Sequence, residues 1–239
     1  MPDEKKTTVM DGHGGYMNGS RYYGEDLPIN TWYMKRFAGL SEDGLSLWYY
    51  TDKETNEEKT TTTYSTGDFY LCGDPNPDLY GGFGTSITFH GFDLSTQFSY
   101  LVGGLTYDYG YAGMMGNPTA TSVGNRWHKD VLKAWSPENP SSTIPRWHFN
   151  DLNTTGSSDR FLIDGSYLNL QNIQVGYTLP DSWTSHLKIK NLRLYFVCDN
   201  VYYWSKRKGL DPRRSISGVG TSGKIAPFRT YSGGISLQF

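Results

Sequence analysis

The sequence predicts an all-β protein: an antiparallel segment of a transmembrane β-barrel with long extracellular loops. Three observations carry that expectation. The composition is aromatic and glycine-rich yet polar on average, with 15% Phe, Trp and Tyr, 28 Gly, and 36% of residues in the apolar set. Several segments alternate apolar and polar side chains over stretches longer than the ~5–6 residues usual for a soluble strand. Short turns alternate with long polar connections along the chain. A strand that shows lipid one side and water the other averages to such a composition.

The same numbers exclude other classes. No run approaches the ~18 apolar residues of a membrane-crossing helix. Twenty-two Lys+Arg against 24 Asp+Glu leave a net charge of −2, which argues against a nucleic-acid partner. Two Cys cannot build a disulfide framework. The opening MPDEKKTTVMDGHGG has no apolar stretch of signal-peptide type. The chain is therefore expected to be either cytoplasmic or a piece of a longer exported protein.

Taken in order, residues 1–28 read as polar loop. Thr31–Phe37 is a short strand with weak alternation, Ala38–Gly44 a turn, and Leu45–Tyr50 a second short strand. Thr51–Thr63 is a charged connection in solvent. Asp74–Pro77 (DPNP) is a rigid turn. From Leu79, odd positions run Leu79, Gly81, Phe83, Thr85, Ile87, Phe89, and even positions are Tyr, Gly, Ser, Thr and His. His90-Gly91 is a tight turn into a second strand, with Phe92, Leu94, Phe98, Tyr100 and Val102 on one side and Asp93, Ser95, Gln97 and Ser99 on the other.

Residues 104–160 show no sustained period and are expected as one long outside loop. The next strand, about 161–179, changes phase between Leu168/Leu170 and Ile173/Val175/Tyr177, which predicts a bulge near Gln171–Asn172. Pro180–Lys190 is a short connection. Asn191–Trp204 alternates again, a polar loop follows over about 205–226, and Phe228–Phe239 is the last strand.

The segments, in this order, resemble the SusC/RagA-type TonB-dependent outer-membrane transporters. The resemblance is carried by DGSYLNLQNIQVGYTLP (164–180), LRLYFVCDNVYYWSKRKGLDP (192–212) and FRTYSGGISLQF (228–239). Upstream, RFAGLSEDG (36–44) and GDPNPDLYGGFGTSITFHGFDLSTQFSYLVGG (73–104) fit the same family. It covers most of residues 30–239 and is weakest over 105–160. It implies that residues 1–239 are the C-terminal portion of a 22-stranded barrel in the outer membrane. Plug, TonB box and signal peptide would lie outside this chain. The implied partners are the upstream barrel and plug, TonB through the missing N-terminal part, a SusD-like surface lipoprotein, the outer-membrane assembly machinery, and lipid and lipopolysaccharide. The implied role is import of nutrients, usually oligosaccharides and sometimes peptides, with no enzyme activity and no cofactor.

Candidate binding residues are Trp127, Trp135, Tyr109 and Tyr111 of the long loop, whose rings could stack on sugars; packing of the loop itself is the plainer alternative. Tyr231, Ile235, Leu237 and Phe239 resemble a C-terminal assembly signal, against the alternative of an ordinary last strand. Lys206, Arg207, Lys208, Arg213 and Arg214 form a basic cluster. A solvated loop explains it most simply; contact with lipopolysaccharide phosphates or steering of an acidic substrate is the sharper alternative. Gly218–Gly223 fits GxGxxG but lacks the flanking strand and helix of a dinucleotide site. The five His (13, 90, 128, 148, 186) lack metal-ligand spacing. Cys72 and Cys198 are expected to be unpaired. The competing reading of the whole chain is a secreted, soluble β-sandwich that binds glycans.

Overall fold

The structure is a computed structural model that describes residues 7–10, 12–120, 126–154, 156–184, 189–214, 217–219 and 227–239. The chain divides into two compact units: Pro77–Gly103 with Gly165–Arg213 and Lys224–Phe239, and Met1–Asn76 with Gly104–Asp164 and Arg214–Gly223.

The first unit is a single five-stranded sheet. Its strands are β1 (Leu79–Phe89), β2 (Phe92–Val102), β3 (Tyr167–Thr178), β4 (Asn191–Ser205) and β5 (Thr230–Gln238). Sheet order follows chain order and every pair is antiparallel. His90 and Gly91 join β1 to β2 with φ of 47° and 83°. Positive φ at both central positions is the primed turn whose twist matches a hairpin. The two long connections, 103–166 and 206–229, leave from the same end of the sheet; the two short ones lie at the other.

The expected bulge is present. On β2, Gln97 faces Asn172 and the next residue, Phe98, faces Leu170, so Gln171 has no opposite number. That extra residue shifts the phase and keeps Leu168 and Leu170 on the same side as Ile173, Val175 and Tyr177. The β3–β4 register shifts at the same level, where Asn200 takes a φ of 52°.

The second unit departs from the expectation of loops. Residues 1–28 hold three strands, Thr7–Met10, His13–Asn18 and Arg21–Gly24, in one sheet with Thr31–Lys35 and Phe69–Leu71. A turn at Gly19 (φ 61°) sets Tyr16 opposite Tyr23, and the two rings stack at 5.2 Å. Thr31–Lys35 is buried at every position, so it has no polar side to alternate. The charged connection 51–63 is partly strand: Glu58–Thr61 pairs with Ser46–Thr51, and Lys59 reaches Asp52 at 2.6 Å.

Residues 104–160 do not run as one free loop. Leu105–Tyr107 pairs with Leu162–Asp164 in a short two-stranded ribbon. Between them, Asp108 caps the helix Tyr109–Met114 by accepting from the Tyr111 amide. Tyr107, Met115 and Phe161 then bury against Trp32 and Met34 as the core of this unit.

Both cysteines are free. Cys72 lies against the core of the second unit, its thiol 3.3 Å from the Tyr70 carbonyl. Burial pushes the thiol up from its ordinary 9 to about 11. A raised thiol pKa favours folding below pH 9, and that contribution is lost between pH 9 and 11. Alkylation of Cys72 in the folded protein is expected to rise with a midpoint near pH 11; a midpoint near 9 would contradict the burial argument.

Candidate functional site

The five-stranded sheet has two unlike faces. One is apolar in rows that cross it strand by strand. Phe89, Phe92, Tyr177, Leu194 and Ile235 form one row. Ile87, Leu94, Val175 and Phe196 form the next, and Phe83, Phe98, Leu170 and Tyr202 another. These side chains stand open: Phe89 is 70% exposed, Ile235 65% and Phe83 55%. A water-soluble domain does not present so large an apolar surface without a cover. Ten residues separate Leu194 from Trp204 on β4. That is about 33 Å of extended chain, which at a ~40° strand tilt spans about 25 Å, the height of an outer-membrane apolar band. Cys198 sits within this face, beside Ile173 and Tyr231, and is covered by its neighbours.

The other face is polar and nearly free of net charge. Ser95, Gln97 and Ser99 of β2 line it with Asn169, Asn172 and Gln174 of β3. Asn169 and Gln171 donate to the Ser99 hydroxyl, and Asn172 to Asp199 at 2.7 Å. Arg193 of β4 reaches over β3 to Asp93 of β2 with a forked bond, 2.9 and 2.5 Å. The bridge passes above Gly176, where any Cβ would overlap both the carboxylate and the guanidinium. A side chain there would have to push the two charged groups aside. Tyr195 similarly lies over Gly234. Gly82 and Gly84, without side chains, leave an open hollow of about 580 Å³ beside Ser86, Ser95, Gln97 and Asn172.

The loop aromatics divide by surroundings. Tyr109 packs on Tyr107 at 4.4 Å, and both Tyr109 and Tyr111 lie against the core of their unit. The Tyr111 hydroxyl donates to Asp130 at 3.1 Å. Trp135 covers Gly44, whose φ of 73° and missing Cβ both suit the contact. Trp127 donates to the Gly116 carbonyl and meets Trp147 edge to face at 5.6 Å and 86°. Trp147 is 43% exposed, with Phe149 exposed beside it in sequence. The Trp127–Trp147 corner thus has an open ring.

The basic cluster also splits. Arg213 forks onto Asp211, donates to Asn169 at 2.6 Å and lies over Tyr203 at 4.6 Å. Its bond to Asp211 holds its pKa above the ordinary value. Lys206 and Lys208 stay exposed. The Arg214 side chain lies outside the described residues, as do Gly220 and Gly223 of the GxGxxG match and His186. Gly218 is buried, its carbonyl taken by the Tyr107 amide. Among the described residues no group of His, Cys, Asp and Glu could hold a metal ion. Sequence reasoning missed the Asp93–Arg193 bridge. The one signal for it was a lone acid among Ser and Gln on the polar side of β2.

A single sheet of long antiparallel strands, apolar on one face and polar on the other, defines a wall segment of an outer-membrane β-barrel. Among the described residues no second layer covers the apolar face within its unit, which counts against the soluble-sandwich reading. No family model matches the chain. It is 29% identical over 235 residues to a TonB-dependent receptor, P3, of Formosa agariphila, a match covering 94% of this chain and 22% of that protein. It is 27% identical over 182 residues to the TonB-dependent receptor SusC of Bacteroides thetaiotaomicron, covering 74% of this chain and 17% of SusC. Among solved structures, the RagAB peptide importer in its open-open state superposes with a TM-score of 0.75 at 25% identity, covering 98% of this chain and 25% of that one. A second RagAB structure gives 0.72 at 22% identity, covering 95% and 26%. Over most of its length the chain is thus similar to TonB-dependent receptors, SusC among them. It spans about a fifth of the length of the curated relatives it matches.

The two faces predict opposite responses to the same substitution. Phe98→Arg, on the apolar face near mid-strand, is expected to cost about 2–4 kcal/mol of folding stability. Gln97→Arg, its neighbour on the polar face, is expected to cost far less. Urea titration of the receptor in lipid vesicles measures both.

Proposed function

We propose that this chain supplies part of the wall and outer loops of a TonB-dependent importer that takes a nutrient, an oligosaccharide by preference, across the outer membrane with a SusD-like surface lipoprotein. The two-faced sheet carries the reading: one side suits hydrocarbon and the other a water-filled passage. The passage side offers amides and hydroxyls, and its Asp93–Arg193 charges cancel, which suits an uncharged hydroxylated solute. Upstream barrel strands and a plug would complete the channel, and TonB would act through that plug.

Peptide is the second reading, favoured by the likeness to the RagAB peptide importer. Asn and Gln bond a peptide backbone as readily as a sugar hydroxyl. The open ring of the Trp127–Trp147 corner supports the glycan, since a flat aromatic face stacks on the C–H face of a sugar. In the intact receptor, Trp127→Ala with Trp147→Ala is expected to lower oligosaccharide uptake about tenfold, by loss of roughly 1.4 kcal/mol of contact, while oligopeptide uptake holds. Loss of peptide uptake alone would reverse the assignment, and no loss of either would remove the corner from the binding site.

Tyr231, Ile235, Leu237 and Phe239 line the apolar side of β5 and its end, all exposed. We assign them to recognition by the outer-membrane assembly machinery. Phe239→Ser is expected to reduce folded receptor in the outer membrane several-fold; an unchanged amount on heat-modifiable gels would count against the assignment.

A further inference from the structure

We propose that the polar face of β1 and β2 holds a subsite for a neutral oligosaccharide, with Tyr80 as its stacking platform and Ser86, Ser95 and Gln97 as its hydrogen-bonding groups. The subsite rests on the reading of this face as the wall of a nutrient passage. It uses none of the residues of the Trp127–Trp147 corner. Three observations carry it.

The first is an aromatic ring on the polar side. β1 and β2 pair without a break from Phe89 opposite Phe92 to Leu79 opposite Val102. Tyr80 therefore shares a face with Gly82, Gly84 and Ser86, and not with the apolar rows. It is 76% exposed, and among the described residues it makes no hydrogen bond or ring stack. It stands near the start of β1, at the end from which the long connections leave. An open phenol ring of this kind can lie on the C–H face of a sugar while its hydroxyl stays wet.

The second is the space beside that ring. The next positions on the same side are Gly82 and Gly84, about 7 and 14 Å along the strand. A Cβ at Gly82 would lie 2.9 Å from the Phe98 carbonyl oxygen, and one at Gly84 2.8 Å from that of Thr96. The two backbones come so close that a side chain would force them apart, and the strand is left bare. The hollow of about 580 Å³ follows from that closeness, with Ser86, Ser95, Gln97 and Asn172 around it. Its volume falls within the ~300–1,000 Å³ of small-molecule sites.

The third is the chemistry left open. Asn169, Gln171 and Ser99 bond one another, and Asn172 holds Asp199. Ser86, Ser95 and Gln97 have no such side-chain partner among the described residues. Each can both donate and accept, as a sugar hydroxyl does. The residues lining the hollow carry no charge, so an ionic solute finds nothing to pair with. A peptide could bond the amide and hydroxyls, but it brings no saturated ring face for Tyr80.

The test uses cells carrying the intact receptor, with tritiated neutral oligosaccharides and, separately, oligopeptides as probes. Tyr80→Ala and Ser86→Ala/Gln97→Leu remove contacts without filling the hollow, and Gln97→Trp fills it. Each is expected to slow oligosaccharide uptake at sub-saturating concentration about fivefold, the worth of one ring stack or of two neutral hydrogen bonds. Heat-modifiable migration reports assembly, and influx of a large antibiotic reports whether the plug still closes the barrel. Wild type that imports oligopeptides but no oligosaccharide would overturn the importer reading and the subsite with it. Wild type that imports oligosaccharide while the assembled variants match its rate would overturn the subsite alone. Slower uptake accompanied by antibiotic influx would mean that the hollow seats the plug, and also overturns the subsite. Should Gln97→Trp fail to assemble, the other two variants decide, and a full rate in both is equally fatal.

Discussion

Hydrocarbon offers no hydrogen bonds, so each backbone N–H and C=O placed in it must find a partner on a neighbouring strand. The wall sheet is arranged around that demand. β2 and β3 are paired on both sides along nearly their whole length, β4 is paired on both sides from Arg193 to Asp199, and the β2–β3 irregularity is confined to Gln171. β1 and β5 each have one partner strand here and one open edge. Five strands cannot curl shut, so those edges belong against other strands of a larger barrel. The apolar rows, the aromatic ends and the polar interior all follow from holding this one sheet in a bilayer.

The polar face carries few charges, and its one cross-strand pair is matched. Asp93 and Arg193 satisfy each other across an intervening strand, passing over Gly176. Asp199 is held by an amide rather than a cation. The result is a hydrogen-bonding surface on which one ion pair is internally balanced and one carboxylate is held by an amide.

Legibility followed exposure. β1, β2, β4 and β5 were plain in the sequence because lipid and water impose opposite chemistry on alternate residues, and the His90-Gly91 turn and the Gln171 bulge showed as breaks in that rhythm. The second unit was hidden for the converse reason. Thr31–Lys35 is enclosed on both sides and shows no alternation. The hairpin at 13–24 is built from Gly and Tyr, which look like loop. The core residues Tyr107, Met115 and Phe161 are too far apart in sequence to form a pattern. The Asp93–Arg193 bridge joins residues 100 positions apart, beyond any local signal. Tyr109 and Tyr111 were visible as aromatics, but only packing could tell that they lean inward while Trp147 stays open.

The ribbon formed by Leu105–Tyr107 and Leu162–Asp164 gives the fold a modular character. Leu105 pairs with Asp164 only three residues beyond the end of β2 and three before the start of β3. The chain that departs from one strand is thus cinched before it re-enters at the next. For the wall, the whole excursion behaves as a short hairpin loop, and its length adds little to the entropy of bringing β2 and β3 together. Stretches between the two halves of the clasp that lie outside the core of that unit can lengthen or diverge while the strands beneath keep their register. A lineage could in this way remodel the excursion without rebuilding the sheet beneath it.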